Sequence, residues 1–368
     1  MPKNYTVTLP HYSVGPSCYD ELGQVTRFYG RTAAVVGGET ALAKAGPALK
    51  AGFEKAGVKL TEWTVYGKDS TNANVEKIVN NPKVQEADLL FGVGGGRAID
   101  TVKTAADILG KPFFSVPTVS SNCAPVSAIA VIYKDDGALD HYHFPKRCPE
   151  HCFIDTTVIL DSPEELFWAG IGDALSKQAE SQLASRGAEL THTPLLGVQV
   201  GLVCEDPLLE YGKQAIEDFR AKRDSHAFTE TVLDIIVSTG ITSNLTTTKD
   251  SYYNSSLAHC FYNASMVLPS IHKHLHGEVV SFGTLVLHAV DEDDVALERL
   301  MTFNHSVGLP VTLAQLDITT PEQVNALVDR AATMKEWTCV PYEMTKDKFR
   351  NGIYKVDELG RKFVAKQS

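Results

Sequence analysis

At 368 residues the chain has room for about two domains of ordinary size, and with 43% hydrophobic and 21% charged residues it has the balance of a globular protein, not of a disordered, fibrous or membrane-embedded one. A formal net charge of −11 argues against a nucleic-acid partner, because that affinity rests on clustered Lys and Arg. No apolar run approaches the ~18 residues of a spanning helix, and the opening MPKNYTVTLPHY has no charged leader ahead of an apolar block.

A cytoplasmic protein with a small-molecule ligand and no membrane partner is expected. The Asn-x-Ser/Thr matches, such as Asn244-Leu245-Thr246, are then chance. The seven cysteines are odd in number and scattered, so reduced thiols are the default. Cys148, His151 and Cys152 cluster in RCPEHC, but a closed zinc site needs four ligands and no second pair lies nearby, so this stretch reads as an ordinary loop.

From the N-terminus to about residue 161, short apolar runs alternate with helix-like segments. AAVVGG, VKLTEWTV, ADLLFGVGGG and KPFFSVPT read as strands, with helices over Ala41–Ala56, Asn72–Asn80 and Arg97–Leu109 between them. Such alternation predicts a parallel sheet with covering helices. The punctuation changes at Ser162-Pro163-Glu164-Glu165, which offers an N-cap serine, proline at the first helical position and glutamate three residues after the cap. Beyond it nearly every segment has helical period; Leu257, Phe261, Ala264 and Leu268 form one apolar row. SNLTTTKDSYYNSS reads as a polar loop, and no internal repeat stands out. One boundary near Asp161 therefore divides an α/β half from a mostly helical half.

Three places carry chemistry-bearing residues. FGVGGGRAID follows a strand and opens a helix, and Gly94, Gly95 and Gly96 let backbone N–H groups approach a phosphate at the positive end of that helix. Arg97 adds a forked donor. In WAGIGDALSKQAES, Asp173 lies between Gly172 and Ala174 with Gly170 just before, although each mid-helix glycine costs ~1 kcal/mol relative to alanine, so something has to approach the backbone there. His259 lies in an apolar helix, and HKHLHGEVV sets His272, His274 and His276 at alternate positions. Two imidazoles and one carboxylate with a coordination position left open are the ligand count of a catalytic zinc or non-haem iron site.

GVGGGRAIDTVK, SVPTVSSNCAPVSAIAVIY, AGIGDALSK, LAHCFYNA and HLHGEVVSFGTL, in this order, resemble the glycerol dehydrogenase branch of the iron-containing alcohol dehydrogenase superfamily, and the resemblance covers nearly the whole chain. It implies a dehydroquinate synthase-like two-domain architecture. A nucleotide-binding α/β domain with a Rossmann-like parallel sheet would span residues 1–161, an all-α metal-binding domain residues 162–368, with the metal in the cleft between them. Carried over position by position, the metal ligands are Asp173, His259 and His276, and His272 and His274 have no ligand role. Gly94, Gly95, Gly96 and Arg97 would hold the coenzyme diphosphate, with Asp100, Thr118 and Ser121 near it, and Ser127, Ile129 and Tyr133 would flank the nicotinamide. The implied cofactors are Zn2+, with Fe2+ sharing the same ligand preference, and NAD or NADP; a homo-oligomer is the expected assembly.

Two positions depart from the family pattern. Relatives carry an acidic residue for the adenosine ribose where Gly38 stands; its loss removes the repulsion of a 2′-phosphate and admits NADP, while Glu39 next to it argues for NAD. Glycerol dehydrogenases carry Asp where Cys123 stands, and a hydrogen bond to a charged group is worth about 1.5–3 kcal/mol. A neutral thiol there weakens polyol binding and relieves the repulsion of a carboxylate substrate, ~3 kcal/mol for charges ~5 Å apart at an effective dielectric near 20. Hydroxycarboxylate dehydrogenases resemble this chain in that cysteine. The function expected is reversible hydride transfer on a small hydroxy compound, a 2-hydroxy acid/2-oxo acid pair being favoured and glycerol oxidation the alternative. A remote alternative is a non-haem iron oxygenase, for which His276-Gly277-Glu278 imitates half of a facial triad. A sugar-phosphate cyclase would need a basic cluster that the sequence lacks, and a nucleotide-binding regulator without chemistry would have no use for the trio.

Overall fold

A computed structural model describes residues 6–248 and 251–367; Lys249 and Asp250 of the polar stretch and the first five residues lie outside the described residues. The chain divides into two compact units, Met1–Pro163 with Ala221–Val232, and Glu164–Arg220 with Leu233–Ser368. Where the sequence suggests one crossing near Asp161, the chain crosses three times. Segment 221–232 belongs with the first unit through polar contacts that its sequence does not advertise: Thr156 Oγ1 donates to Asp224 Oδ2 at 2.6 Å, and Lys222 Nζ donates to the Leu160 carbonyl.

The first unit is built on six strands: β1 (His11–Val14), β2 (Thr32–Gly37), β3 (Lys59–Val65), β4 (Leu89–Gly94), β5 (Phe113–Pro117) and β8 (His151–Ile154). They form one sheet in the order β1-β8-β5-β4-β2-β3, every pair parallel. β2 and β4 are buried along almost their whole length, as expected of strands covered on both faces. Helices α1 (Glu39–Ala56), α2 (Asn72–Val79) and α3 (Gly96–Leu109) join consecutive strands. From β2 the chain runs outward to β3, then returns to the other side of β2 for β4 and continues away through β5. The crevice at the carboxyl ends of β2 and β4, where that direction reverses, is where open parallel sheets bind ligands. A separate antiparallel hairpin, β6 (Ala130–Tyr133) with β7 (Leu139–His143), follows β5. The RCPEHC stretch is not wholly loop: His151 and Cys152 lie in β8, and Cys148 and Cys152 are both buried.

The second unit is helical. Helix α4 (Glu164–Ala174) continues through Leu175, still in the right-handed helical region, into α5 (Ser176–Ser185). Helix α6 (Leu257–Ser265) buries Leu257, Phe261 and Ala264 as the apolar row predicts, and Leu268 is buried just past its end. SNLT at the start of the polar stretch is the end of another helix, Thr239–Thr246, so the loop begins at Thr247. Helix α7 (His276–Asp291) is buried over nearly its entire length. No described helix is long and apolar enough to cross a membrane.

Candidate metal centre and nucleotide turn

Helix α7 approaches its neighbours at two glycines. A Cβ on Gly277 would run into the carbonyl oxygen of Ala169 in α4, and one on Gly172 would lie 2.5 Å from the carbonyl oxygen of Gly277. A Cβ on Gly283 would lie 2.5 Å from the carbonyl oxygen of Ala258 in α6. The glycine beside Asp173 that looked costly for a helix is thus explained by backbone-on-backbone packing. The consequence is positional: Asp173 next to Gly172, His276 next to Gly277 and His259 next to Ala258 are carried to one point.

The ligand atoms of Asp173, His259 and His276 all lie within 4.8 Å of one another, and among the described residues they are the one group of three or more His, Cys, Asp or Glu side chains so arranged. Asp173 Oδ1 is 2.9 Å from His276 Nε2 and 3.6 Å from His259 Nε2. Those contacts lie off hydrogen-bond geometry, and the buried Oδ1 has no hydrogen-bond partner. A carboxylate oxygen without a donor, facing two imidazole nitrogens, is an arrangement that fits a divalent cation: it supplies one oxygen and two nitrogens, the set zinc and ferrous iron accept. The edge of Tyr262 packs against the His276 ring at 4.2 Å between centroids, which limits its rotation.

Burial works against the charged forms of these groups and mutual attraction works for them. Burial would raise the carboxyls of Asp173 and Glu180, but the facing imidazoles, His276 for Asp173 and His259 for Glu180, hold both below the usual carboxylate range. Burial would lower His259, but Glu180 and Asp173 hold it above the usual imidazole value. Glu180 was not singled out in the sequence. Its signal was there: it lies seven residues after Asp173, on the same helical face, with Lys177 between them. Lys177 is also buried and donates to Asn254 Oδ1 at 2.8 Å.

The other histidines of HKHLH stand apart. His274 lies between Glu278 Oε1 at 2.9 Å and Asp317 Oδ2 at 2.8 Å, so both of its nitrogens are engaged by carboxylates. Glu278 also accepts from the backbone of Leu275 at 3.0 Å, capping α7. Being used twice in this way, it is no partner of His276 in a facial triad, and the oxygenase alternative is set aside. His272 is exposed.

The glycine turn lies in the first unit, at the end of β4. Gly94 has φ +147°, in the region that favours glycine, and a Cβ there would meet Ala98 at 2.8 Å. Gly95 and Gly96 are packed by Val119 and by Asn122, a residue the sequence reading passed over. No side chain caps α3, so the N–H groups of its first turn face the crevice without a capping oxygen, as an anion site requires. Thr118 joins the turn through its N–H to the Gly94 carbonyl at 3.2 Å. Arg97 pairs with Asp69 Oδ2 at 2.9 Å, its guanidinium carbon 5.2 Å from the centre of the Tyr133 ring. Ser121 is half-buried, and Ser127 is buried with its N–H on the Cys123 carbonyl at 2.9 Å.

Asp100, expected near the diphosphate, is engaged within its own unit. Asp100 is buried and both of its oxygens are used: Oδ1 takes Lys103 Nζ at 3.0 Å and Oδ2 takes the N–H of Val131 at 3.0 Å. Lys103 also donates to the Ile129 carbonyl at 2.6 Å. The pair pins Ile129 and β6 to α3.

A parallel sheet with an uncapped glycine turn at its switch point, and a helical unit with a metal-ligand trio, are the parts of a nucleotide-linked metalloenzyme. The model of the iron-containing alcohol dehydrogenase family matches residues 10–156. The chain is 31% identical over 278 residues to hydroxycarboxylate dehydrogenase A of Escherichia coli (strain K12), covering 74% of this chain and 76% of that protein. It is 28% identical over 363 residues to glycerol dehydrogenase of Escherichia coli O6:H1, covering 96% of each. The crystal structure of a probable glycerol dehydrogenase from Sinorhizobium meliloti 1021 matches with a TM-score of 0.83 at 26% identity, over 98% of this chain and 99% of that one. The chain belongs to the iron-containing alcohol dehydrogenase family, in its glycerol dehydrogenase branch, and is an oxidoreductase acting on CH–OH groups.

Proposed function

We propose that this protein is a metal-dependent glycerol dehydrogenase-type enzyme that passes hydride between a nicotinamide coenzyme and a small vicinal hydroxy compound, glycerol to dihydroxyacetone being the leading reaction. The observation that carries it is the convergence of Asp173, His259 and His276 around a buried oxygen without a donor. These three side chains hold a divalent ion, zinc or ferrous iron. Bound there, the ion supplies Lewis acidity that polarises a substrate C–O bond. The chain's own residues do the rest. Asp173 contributes the one anionic ligand, Tyr262 limits the swing of His276, and the first turn of α3 with Arg97 receives the coenzyme diphosphate. Thr118, Ser121, Ser127, Ile129 and Tyr133 line the remainder of the coenzyme site. Small-molecule chemistry in the cytoplasm by a homo-oligomer completes the proposal.

Cys123 favours a second reading, reduction of a 2-oxo acid to a 2-hydroxy acid, since a neutral thiol neither holds a polyol by charge nor repels a carboxylate. The name of one relative, hydroxycarboxylate dehydrogenase A, supports keeping it. Initial rates of glycerol oxidation and of 2-oxobutyrate or 2-oxoglutarate reduction, with NAD(H) and NADP(H), before and after chelation, separate the two. Chelator-sensitive glycerol oxidation well above 2-oxo acid reduction is expected. The reverse order gives the substrate to the second reading, and chelator-resistant turnover overturns the metal site.

A further inference from the structure

The trio's imidazoles can ligate a cation only through a nitrogen that carries a lone pair, and for His259 the surroundings decide which nitrogen that is. Glu180 is completely buried and makes three contacts at the start of α6. Its Oε1 accepts from the N–H of Ser256 at 2.7 Å and from the N–H of His259 at 2.9 Å, and its Oε2 lies 2.6 Å from His259 Nδ1. An ionised carboxylate only accepts, so the proton of the neutral ring sits on Nδ1 and the Nε2 lone pair points away from Glu180, towards Asp173 Oδ1.

We infer that Glu180 is a positioning residue: its carboxylate fixes the Nδ1–H tautomer and the orientation of His259 and thereby makes Nε2 a metal ligand. The inference rests on reading Asp173, His259 and His276 as the metal site. The geometry couples two jobs in one side chain. The same carboxylate that satisfies the first amides of α6 orients the ligand that α6 carries, and it lies seven residues after Asp173 on the run from α4 into α5. Outer partners of this kind raise ligand basicity and remove alternative ring orientations.

Glu180→Gln tests the assignment with almost no change of shape. To keep both α6 amides satisfied the glutamine must turn its oxygen to Ser256 and His259, which points its NH2 at Nδ1. Nδ1 then has to accept, the proton moves to Nε2, and the lone pair facing Asp173 is lost. The opposite amide orientation would set two backbone donors against an NH2 group. We therefore expect Glu180→Gln to bind zinc ~10–100-fold more weakly than the parent chain in a competition titration with a chromogenic chelator, while the metal-free forms melt alike. Nitrogen-15 shifts of the His259 ring, measured in the metal-free protein at alkaline pH, should show the Nδ1–H tautomer in the parent and the Nε2–H tautomer in the variant.

Equal zinc affinity in parent and variant overturns the inference, as does an Nε2–H tautomer of His259 in the parent chain, a result that does not depend on the variant folding. The trio itself is checked separately by Asp173→Ala. If the parent binds zinc and that variant does not, a null result for Glu180→Gln removes only the positioning role. If the parent binds no zinc, the metal reading falls as well.

Discussion

Gly38 leaves β2 at the sheet's switch point, half-buried, with φ −73° and the nearest atoms to a built Cβ being Ala41 Cβ at 3.8 Å and Tyr66 Cε1 at 3.9 Å. Neither strain nor crowding requires glycine there, so the position is free to respond to coenzyme chemistry. An aspartate carboxylate ~5 Å from a 2′-phosphate would repel it by ~3 kcal/mol per charge at an effective dielectric near 20. Screening at this accessible edge leaves on the order of 1.4 kcal/mol, about tenfold. Gly38→Asp is therefore expected to move the NADPH/NADH binding ratio about tenfold towards NADH in a fluorescence titration; an unchanged ratio means the ribose lies elsewhere. Gly37, one residue earlier, has no such freedom, because a Cβ there would lie 2.9 Å from the Val93 Cβ and collide with the Val93 carbonyl.

Helix α7 shows how an element, not a residue, makes the site. Its sequence is rich in Val and Leu and it is buried over nearly its whole length, so hydropathy alone marks it only as a core helix. Its two glycines decide where it goes, against the Ala169–Asp173 turn of α4 and against Ala258 of α6. Gly277→Ala is expected to lower unfolding stability in denaturant by ~2–4 kcal/mol, since the obstruction is backbone that cannot rotate away. It should weaken zinc binding along with stability by pushing His276 from Asp173. An alanine variant with parental stability and zinc affinity would show that the helices have slack that the packing denies. Asp100 makes the same point in the first unit. A resemblance places it near the coenzyme diphosphate, and packing gives it an ion pair with Lys103 that fastens β6 to α3.

For the whole molecule, a metal held by distant parts of the chain couples binding to folding. Asp173, His259 and His276 span about a hundred residues of the second unit, and the unfolded chain does not hold them together. Zinc at ~100 times its Kd should then stabilise the metal-free protein by ~2.7 kcal/mol, seen as a rise in melting temperature. Asp173→Ala and His276→Ala should each lose that increment and turnover together, while coenzyme binding stays measurable. A zinc-induced rise of parental size in either variant would identify a different site.

The alternation of apolar runs and amphipathic segments determined the parallel sheet, because β periodicity and its punctuation are local properties that each segment carries itself. FGVGGGRAID likewise declared a strand, a turn and a helix start, since the steric need for glycine is imposed within a few residues. Strands β1 and β8 and the hairpin were not legible, being four or five residues long with little periodicity. The return of segment 221–232 to the first unit rests on hydrogen bonds to residues some seventy positions away. For the site, residue types and the resemblance named Asp173, His259 and His276. Only the tertiary structure brought in Glu180, used up His274 and Glu278 on Asp317 and the α7 cap, and paired Asp100 with Lys103. The physical reason is that a side chain's chemistry depends on which donors and acceptors face it, and those arrive from elements whose separation in sequence carries no record of their contact.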